Sequence, residues 1–152
     1  MAKKSKGASG TIHNRRARFD YQLGDGILAG LVLSGAETKS LRMGHGHLRG
    51  AYVTAKDGEL WLLNATITGS SGILISESDQ TRSRKLLLKK KEIDALLAAK
   101  HQGKSIIPTD ILTKGRYIKI KIAVGTGKKH YDKRENIKAR EQAREVAREF
   151  KR

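Results

Sequence analysis

Residues 51–66 read AYVTAKDGELWLLNAT. Two runs rich in apolar and β-forming residues flank Asp57-Gly58, a dipeptide suited to the two positive-φ positions of a type I′ turn. The stretch predicts a β-hairpin with a two-residue loop. In its second strand Trp61 and Leu63 share one face and Leu60 and Leu62 the other. A strand apolar on both faces belongs in the middle of a sheet, which puts Trp61 in the core rather than on a binding platform.

A second hairpin follows from residues 110–124, DILTKGRYIKIKIAV, turning at Lys114-Gly115. Ile118, Ile120, Ile122 and Val124 alternate with Tyr117, Lys119, Lys121 and Ala123, so one face is buried and the other partly basic. Upstream, RFDYQL (18–23) reads as a strand, Gly24-Asp25-Gly26 as a turn, and GILAGLVLS (26–34) as a buried strand. Ser34-Gly35-Ala36-Glu37 matches the capping-box pattern, which predicts a short helix over 35–43 with Leu41 turned inward and Gly44 just past its end. Ile93, Leu96, Leu97 and Lys100 fall at helical spacing, so 90–101 is a helix stopped at Gly103. Residues 68–80 read as a loop around a short apolar patch, and 125–131 (GTGKKHY) break the pattern.

The expected fold class is therefore mainly β: an OB-like closed antiparallel barrel with flanking short helices. Three regions are expected: a disordered basic arm over 1–10, an OB-like RNA-binding barrel over 11–126, and a basic tail over 127–152. The tail carries the i+4 rows Arg140/Arg144/Arg148 and Glu141/Glu145/Glu149 but few apolar residues. A helix of ~20 residues is marginal alone in water, so the tail is expected to be disordered or frayed until it docks.

Charge narrows the function. The 152 residues include 32 Lys+Arg against 15 Asp+Glu, a formal charge of +17. Such a balance calls for a polyanion, nucleic acid before membrane. The densest cluster is Thr81–Lys91, TRSRKLLLKKK, with six basic and no acidic residues. It reads as a phosphate-contacting patch whose cations gain affinity by releasing condensed counterions. Lys128, Lys129, Lys133 and Arg134 surround His130 and Tyr131, a mix suited to RNA phosphates and bases. Two Phe, four Tyr and one Trp are few for binding mainly by stacking, so backbone charge and shape should dominate.

Other chemistries find little support. The chain has no Cys, which excludes disulfides, zinc ribbons and thiol catalysis and fits a reducing cytosol. No apolar run is long enough to span a bilayer, and no apolar h-region follows the basic N-terminus. Gly125-Thr126-Gly127-Lys128-Lys129 only superficially resembles a P-loop: Ile122 stands where the first Gly belongs and Lys129 where Ser or Thr belongs. His45-Gly46-His47 is a weak metal signal without Cys or a nearby acid. The capping box accounts for Glu37, and no catalytic constellation stands out. No cofactor, metal or enzymatic activity is expected.

Asn14–Arg18 (NRRAR), Ala29–Leu33 (AGLVL), Gly35–Arg42 (GAETKSLR), Asp57–Ala65 (DGELWLLNA), Thr81–Leu88 (TRSRKLLL) and Gly127–Arg134 (GKKHYDKR) run in this order. Together they closely resemble the small protein B family, the SsrA-binding proteins of bacterial trans-translation, over about residues 11–141. The resemblance implies an OB-like barrel that binds the tRNA-like domain of transfer-messenger RNA and enters stalled ribosomes. It also implies a C-terminal tail, disordered in the free protein, that folds in the empty mRNA path near the decoding centre. Protein and RNA would together mimic a tRNA, with no catalysis by the protein, which is expected to be cytoplasmic and monomeric when free.

By the same resemblance Lys39, Arg42, Asn64, Arg84, Lys85, Leu87, Leu88 and Lys89 sit in motifs on or near the RNA-facing barrel, with Leu87 and Leu88 also candidates for the core. Lys128, Lys129, Tyr131, Asp132, Lys133, Arg134, Ile137 and Lys138 sit in the decoding-centre and tail motifs, with Tyr131 at a position that stacks on ribosomal RNA. Phe19, Leu28 and Lys89 depart from the family's usual His, acidic residue and Asn or His. The alternative reading is a general OB-type ribosomal or RNA-chaperone protein without a transfer-messenger RNA partner.

Overall fold

The computed structural model describes residues 10–128 and 130–150, except the side chains of residues 130–133, 135, 136, 149 and 150. The arm expected over 1–10 lies outside the described residues apart from Gly10.

The chain opens with β1 (Thr11–His13) and α1 (Arg15–Asp20), followed by the long strand β2 (Tyr21–Leu31) and α2 (Gly35–Arg42). A two-residue strand β3 (Gly46–His47) precedes the hairpin β4 (Tyr52–Lys56) and β5 (Glu59–Leu63). Next come β6 (Thr66–Ile67), α3 (Glu77–Gln80), β7 (Arg84–Leu87), α4 (Lys90–His101), β8 (Ser105–Leu112), β9 (Lys119–Gly127) and α5 (His130–Phe150). The fold is mainly β. Antiparallel pairing runs β8-β4-β5-β7-β2-β9, and β9 pairs back onto β8, so six strands form a closed circuit. β1 pairs with β8 beyond the point where β4 leaves it, and β3 and β6 form a separate pair.

Alternation makes the circuit's interior apolar. Ala29, Val53, Leu60, Leu62, Leu86, Ile106, Ile111, Ile120 and Ile122 all point inward and are buried, joined by Leu41 from α2 and Leu96 from α4. β5 lies between β4 and β7, the central place its two apolar faces predict. Asp57 and Gly58 turn the hairpin at φ 54° and 75°, both positive as a type I′ turn requires. Trp61 is not in the interior core: it shares the outer face with Lys85 and Thr54, half-buried.

Four local expectations are corrected. Residues 18–20 belong to α1 rather than a strand, because the Asn14 side chain caps that helix and pins it to β8. It accepts from the Ala17 N–H at 3.2 Å and donates to the Pro108 carbonyl at 2.8 Å. Gly24-Asp25-Gly26 is not a turn: β2 continues through it, and the two glycines take up a register shift against β9. Residues 77–80 form a helical turn capped by Ser76. Residues 125–127 do not break the strand pattern: β9 runs through Gly127 as extended backbone paired with Tyr21–Leu23.

The capping box of α2 is present. The Glu37 N–H donates to Ser34 Oγ at 3.2 Å and the Ser34 N–H to Glu37 Oε1 at 2.9 Å. Glu37 also does what no local pattern shows. It is buried and accepts from Arg82, and its Oε2 accepts from Arg84 Nε at 2.5 Å. Arg84 is fully buried. Its two Nη atoms donate to the carbonyls of Ala65, Arg82, Asp79 and Gln80 at 2.8–3.1 Å, so every N–H of the guanidinium is satisfied.

Burial alone pushes the Glu37 carboxyl upward. The Arg82 bond, the Ser34 N–H and the Arg84 charge outweigh it, and Glu37 is held below the usual carboxylate range. A depressed folded-state value stabilises the protein at neutral pH, and that stability is lost as pH falls through it. Glu37→Gln leaves the Arg84 charge buried without its counter-ion. It is expected to cost ~3–5 kcal/mol in urea unfolding at pH 7. The difference from wild type should shrink as pH falls below the carboxylate range.

Candidate nucleic-acid interface

The same alternation that fills the interior sorts the basic cluster. On β7, Arg84 and Leu86 point in, while Lys85 and Leu87 point out. Across the ladder Lys85 stands opposite Trp61, Leu87 opposite Gly30, Gly30 opposite Lys119, and Leu28 opposite Lys121. Residues paired in register share a face, so Lys85, Leu87, Leu28, Lys119 and Lys121 lie together on the outside of β7-β2-β9. Leu28 and Leu87 are 51% and 52% exposed, and Val32 just beyond β2 is 45% exposed. Lys119 and Lys121 are exposed, whereas Lys85 is half-buried and pairs with Glu59 at 2.8 Å.

This face offers cations around an exposed apolar strip. Ammonium groups fit phosphates without demanding geometry, and leucines fit the apolar faces of sugars and bases. The burial of Glu37 leaves no acid of that helix on the surface to oppose the patch.

The expected site residues fall into four groups. Lys39, Asn64 and Lys89 are exposed, and Asn64 turns the chain after β5 in the left-handed region, φ 60°. Lys85 and Leu87 are on the outer face described above, while Leu88 packs partly against the core. Arg84 and Arg42 are spent inside the protein. Arg84 is wholly enclosed, so its expected place on the RNA-facing surface gives way to a structural one. Arg42 is exposed, but its Nη1 donates to the carbonyls of Thr113 (3.0 Å) and Gly115 (2.9 Å) and its Nη2 to that of Arg116 (3.1 Å).

In the tail group, Lys128 belongs to the body: its N–H donates to the Asp20 carbonyl at 2.9 Å and its Nζ to that of Arg18 at 3.1 Å. Arg134, Ile137 and Lys138 are exposed on α5. Lys129 lies outside the described residues, as do the side chains of Tyr131, Asp132 and Lys133. The expected site set missed Lys119, Lys121 and Leu28. The signal was present in the period-two pattern of β9, but it shows which face is shared only once the register with β2 is known.

Among the described residues no cluster of three or more His, Cys, Asp or Glu could hold a metal ion. Among the described residues no helix is long and apolar enough to cross a membrane.

Closed strand circuit, net positive charge and outward lysine–leucine face describe a small basic β protein built to hold a polyanion. Its relatives make the class specific. The model of the SmpB protein family matches residues 11–152. A protein of Syntrophomonas wolfei described as "SsrA-binding protein" is 43% identical over 152 residues, covering 99% of this chain and 97% of the relative. One of the same description from Pseudomonas entomophila is 44% identical over 154 residues, covering 97% and 94%. Among solved structures, one described as "tmRNA-SmpB: a journey to the center of the bacterial ribosome" superposes with a TM-score of 0.67 at 36% identity. It covers 80% of this chain and 87% of the other. The chain belongs to the SmpB family.

Replacing Lys121 with Ala should weaken binding to every RNA alike and lower the salt slope of log K by ~1. The melting temperature should not change, because the side chain is exposed. Titrations at several salt concentrations, with a thermal melt beside them, check both.

Proposed function

We propose that this protein is a non-enzymatic RNA-binding adaptor that binds the tRNA-like domain of transfer-messenger RNA and delivers it to stalled ribosomes for trans-translation. The observation that carries the reading is the family match over residues 11–152, with SsrA-binding relatives aligned along nearly the whole chain. The outward face of β7-β2-β9 supplies the physical means. Its lysines neutralise phosphates while Leu28 and Leu87 cover apolar RNA surface.

In this reading the six-strand circuit is an OB-like closed barrel, and residues 11–126 form the RNA-binding body between a basic arm (1–10) and a ribosome-binding tail (127–152). Lys39, Asn64, Lys85, Leu87 and Lys89 contribute to the body's RNA surface, with Leu88 supporting it from beneath and Arg42 and Arg84 acting through the backbone they hold. Lys129, Tyr131, Asp132, Lys133, Arg134, Ile137 and Lys138 serve in the decoding centre and mRNA path, and Lys128 anchors the start of that segment to α1. The protein works in the cytoplasm, as a monomer when free.

The test compares binding to the tRNA-like domain and to an unrelated tRNA at equal salt, because charge alone gives every RNA some affinity. The expected result is at least a tenfold preference for the tRNA-like domain, kept when residues 129–152 are deleted. Equal affinity for both RNAs would overturn the reading in favour of a general RNA binder.

A further inference from the structure

The turn between β8 and β9 is held more firmly than its position requires. Residues 113–118 leave the ladder at Leu112 and rejoin it at Lys119. Gly115 sits at φ 99°, a conformation that other L-residues rarely adopt. Three of the turn's carbonyls, those of Thr113, Gly115 and Arg116, accept from Arg42 at the end of α2. The Thr113 N–H donates to the Gly10 carbonyl at 2.9 Å. An exposed arginine thus gives up rotamer freedom to fix a surface turn from a distant element.

What that turn displays is Tyr117, 69% exposed, with the Arg116 guanidinium 5.6 Å from its ring centroid. A shallow cleft of about 300 Å³ lies there, lined by Leu112, Lys114, Gly115, Arg116, Tyr117 and Lys119. Lys119 also belongs to the lysine–leucine face, being opposite Gly30 and hence beside Leu87. The cleft and that face share Lys119. Tyr117 is the most exposed aromatic side chain among the described residues, and most of the RNA-facing surface described above is aliphatic and cationic.

We propose that Tyr117, stacked on one side by Arg116, is a platform for an unpaired base of the bound RNA, and that Arg42 is a positioning residue that presets the platform by clamping the 113–116 turn. The inference rests on the RNA-binding reading and adds a contact to it. Proteins recognise folded RNA at loops and bulges, where unstacked bases can lie on an aromatic ring or a guanidinium plane. Phosphates of the same loop would meet Lys114 and Lys119. Fixing the turn before binding removes an ordering cost that would otherwise be met on association. Arginine suits this task better than lysine, because its rigid plane presents donors on two separate nitrogens, Nη1 to Thr113 and Gly115 and Nη2 to Arg116, where an ammonium offers a single flexible point charge.

The experiment measures full-length variants against the tRNA-like domain and an unrelated tRNA, at several salt concentrations. Tyr117→Ala should weaken binding on the order of tenfold, the usual loss for one stacked base, with the salt slope and melting temperature unchanged. Tyr117→Phe keeps the ring and should bind as wild type. Arg42→Lys keeps the charge but loses the fork, so it should weaken binding severalfold. The double variant Arg42→Lys/Tyr117→Ala should be no weaker than Tyr117→Ala alone, since both act through one platform. Tyr117→Trp should bind well and show fluorescence quenching by RNA beyond that of wild type, whose only tryptophan is Trp61.

Wild-type affinity in Tyr117→Ala, with no added quenching in Tyr117→Trp, would overturn the platform. Fully multiplying losses in the double variant would overturn the positioning role of Arg42 and make it a direct phosphate ligand. If the tRNA-like domain binds no better than the unrelated tRNA while Tyr117→Ala weakens both, the adaptor reading falls and the platform stands. If the preference is intact and Tyr117→Ala binds normally, the platform falls and the adaptor reading stands.

Discussion

A buried carboxylate holds this fold's most basic segment to its body. Glu37 takes the Arg84 Nε at 2.5 Å and also accepts from Arg82, while its backbone and that of Ser34 close the capping box of α2. Through Arg84 the pair reaches the carbonyls of Ala65, Arg82, Asp79 and Gln80, so one ion pair ties α2, the end of the β4–β5 hairpin, α3 and β7 together. A buried pair is not a source of large net stability, because desolvation consumes most of the Coulomb gain. Its value here is geometric. Neither partner can leave without stranding the other, and the approach to β7 has only one satisfied arrangement. The outward set of Lys85 and Leu87 depends on that register, since a one-residue slip would turn both inward.

The division of labour between cation types follows from the same physics. Arg42, Arg82 and Arg84 are each engaged by several acceptors within the protein. Lys89, Lys119 and Lys121 stand exposed at the surface. A guanidinium offers five donors in a rigid plane, is weakly hydrated and satisfies several carbonyls at once. An ammonium is a compact, strongly hydrated charge that fits a phosphate from many directions. Counting basic residues in the cluster therefore overstates its electrostatic face, because two of its six, Arg82 and Arg84, are engaged within the protein.

This explains how much could be read in advance. The Asp57-Gly58 hairpin, the capping box, the helix over 90–101 and the two-faced strand β9 are local patterns, and each is present. The α1 helix was hidden because its cap, Asn14, draws half its value from a contact with Pro108 across the fold. Gly24 and Gly26 signal a turn to a local reading and a bulge to the ladder, and only the partner strand decides between them. Site residues were least legible. Arg84 and Lys85 are neighbours in one basic run, yet one is enclosed and the other faces out. Whether Arg42 meets RNA or a turn 71 residues away depends on tertiary placement alone.

A formal charge of +17 also sets a condition on the whole molecule. Like charges on one compact body repel, and self-repulsion disfavours the folded state relative to an expanded chain. The fold answers this in two ways. It neutralises Arg82 and Arg84 against Glu37, and on α5 it sets rows of Arg beside rows of Glu. A polyanion answers the rest. RNA that binds the folded chain and not the unfolded one must stabilise it, by an amount that grows with RNA concentration above Kd. The excess charge that makes the free protein less stable is thus the same feature that makes its complex more so. Folding and RNA binding are thermodynamically linked through the lysines of the outer face.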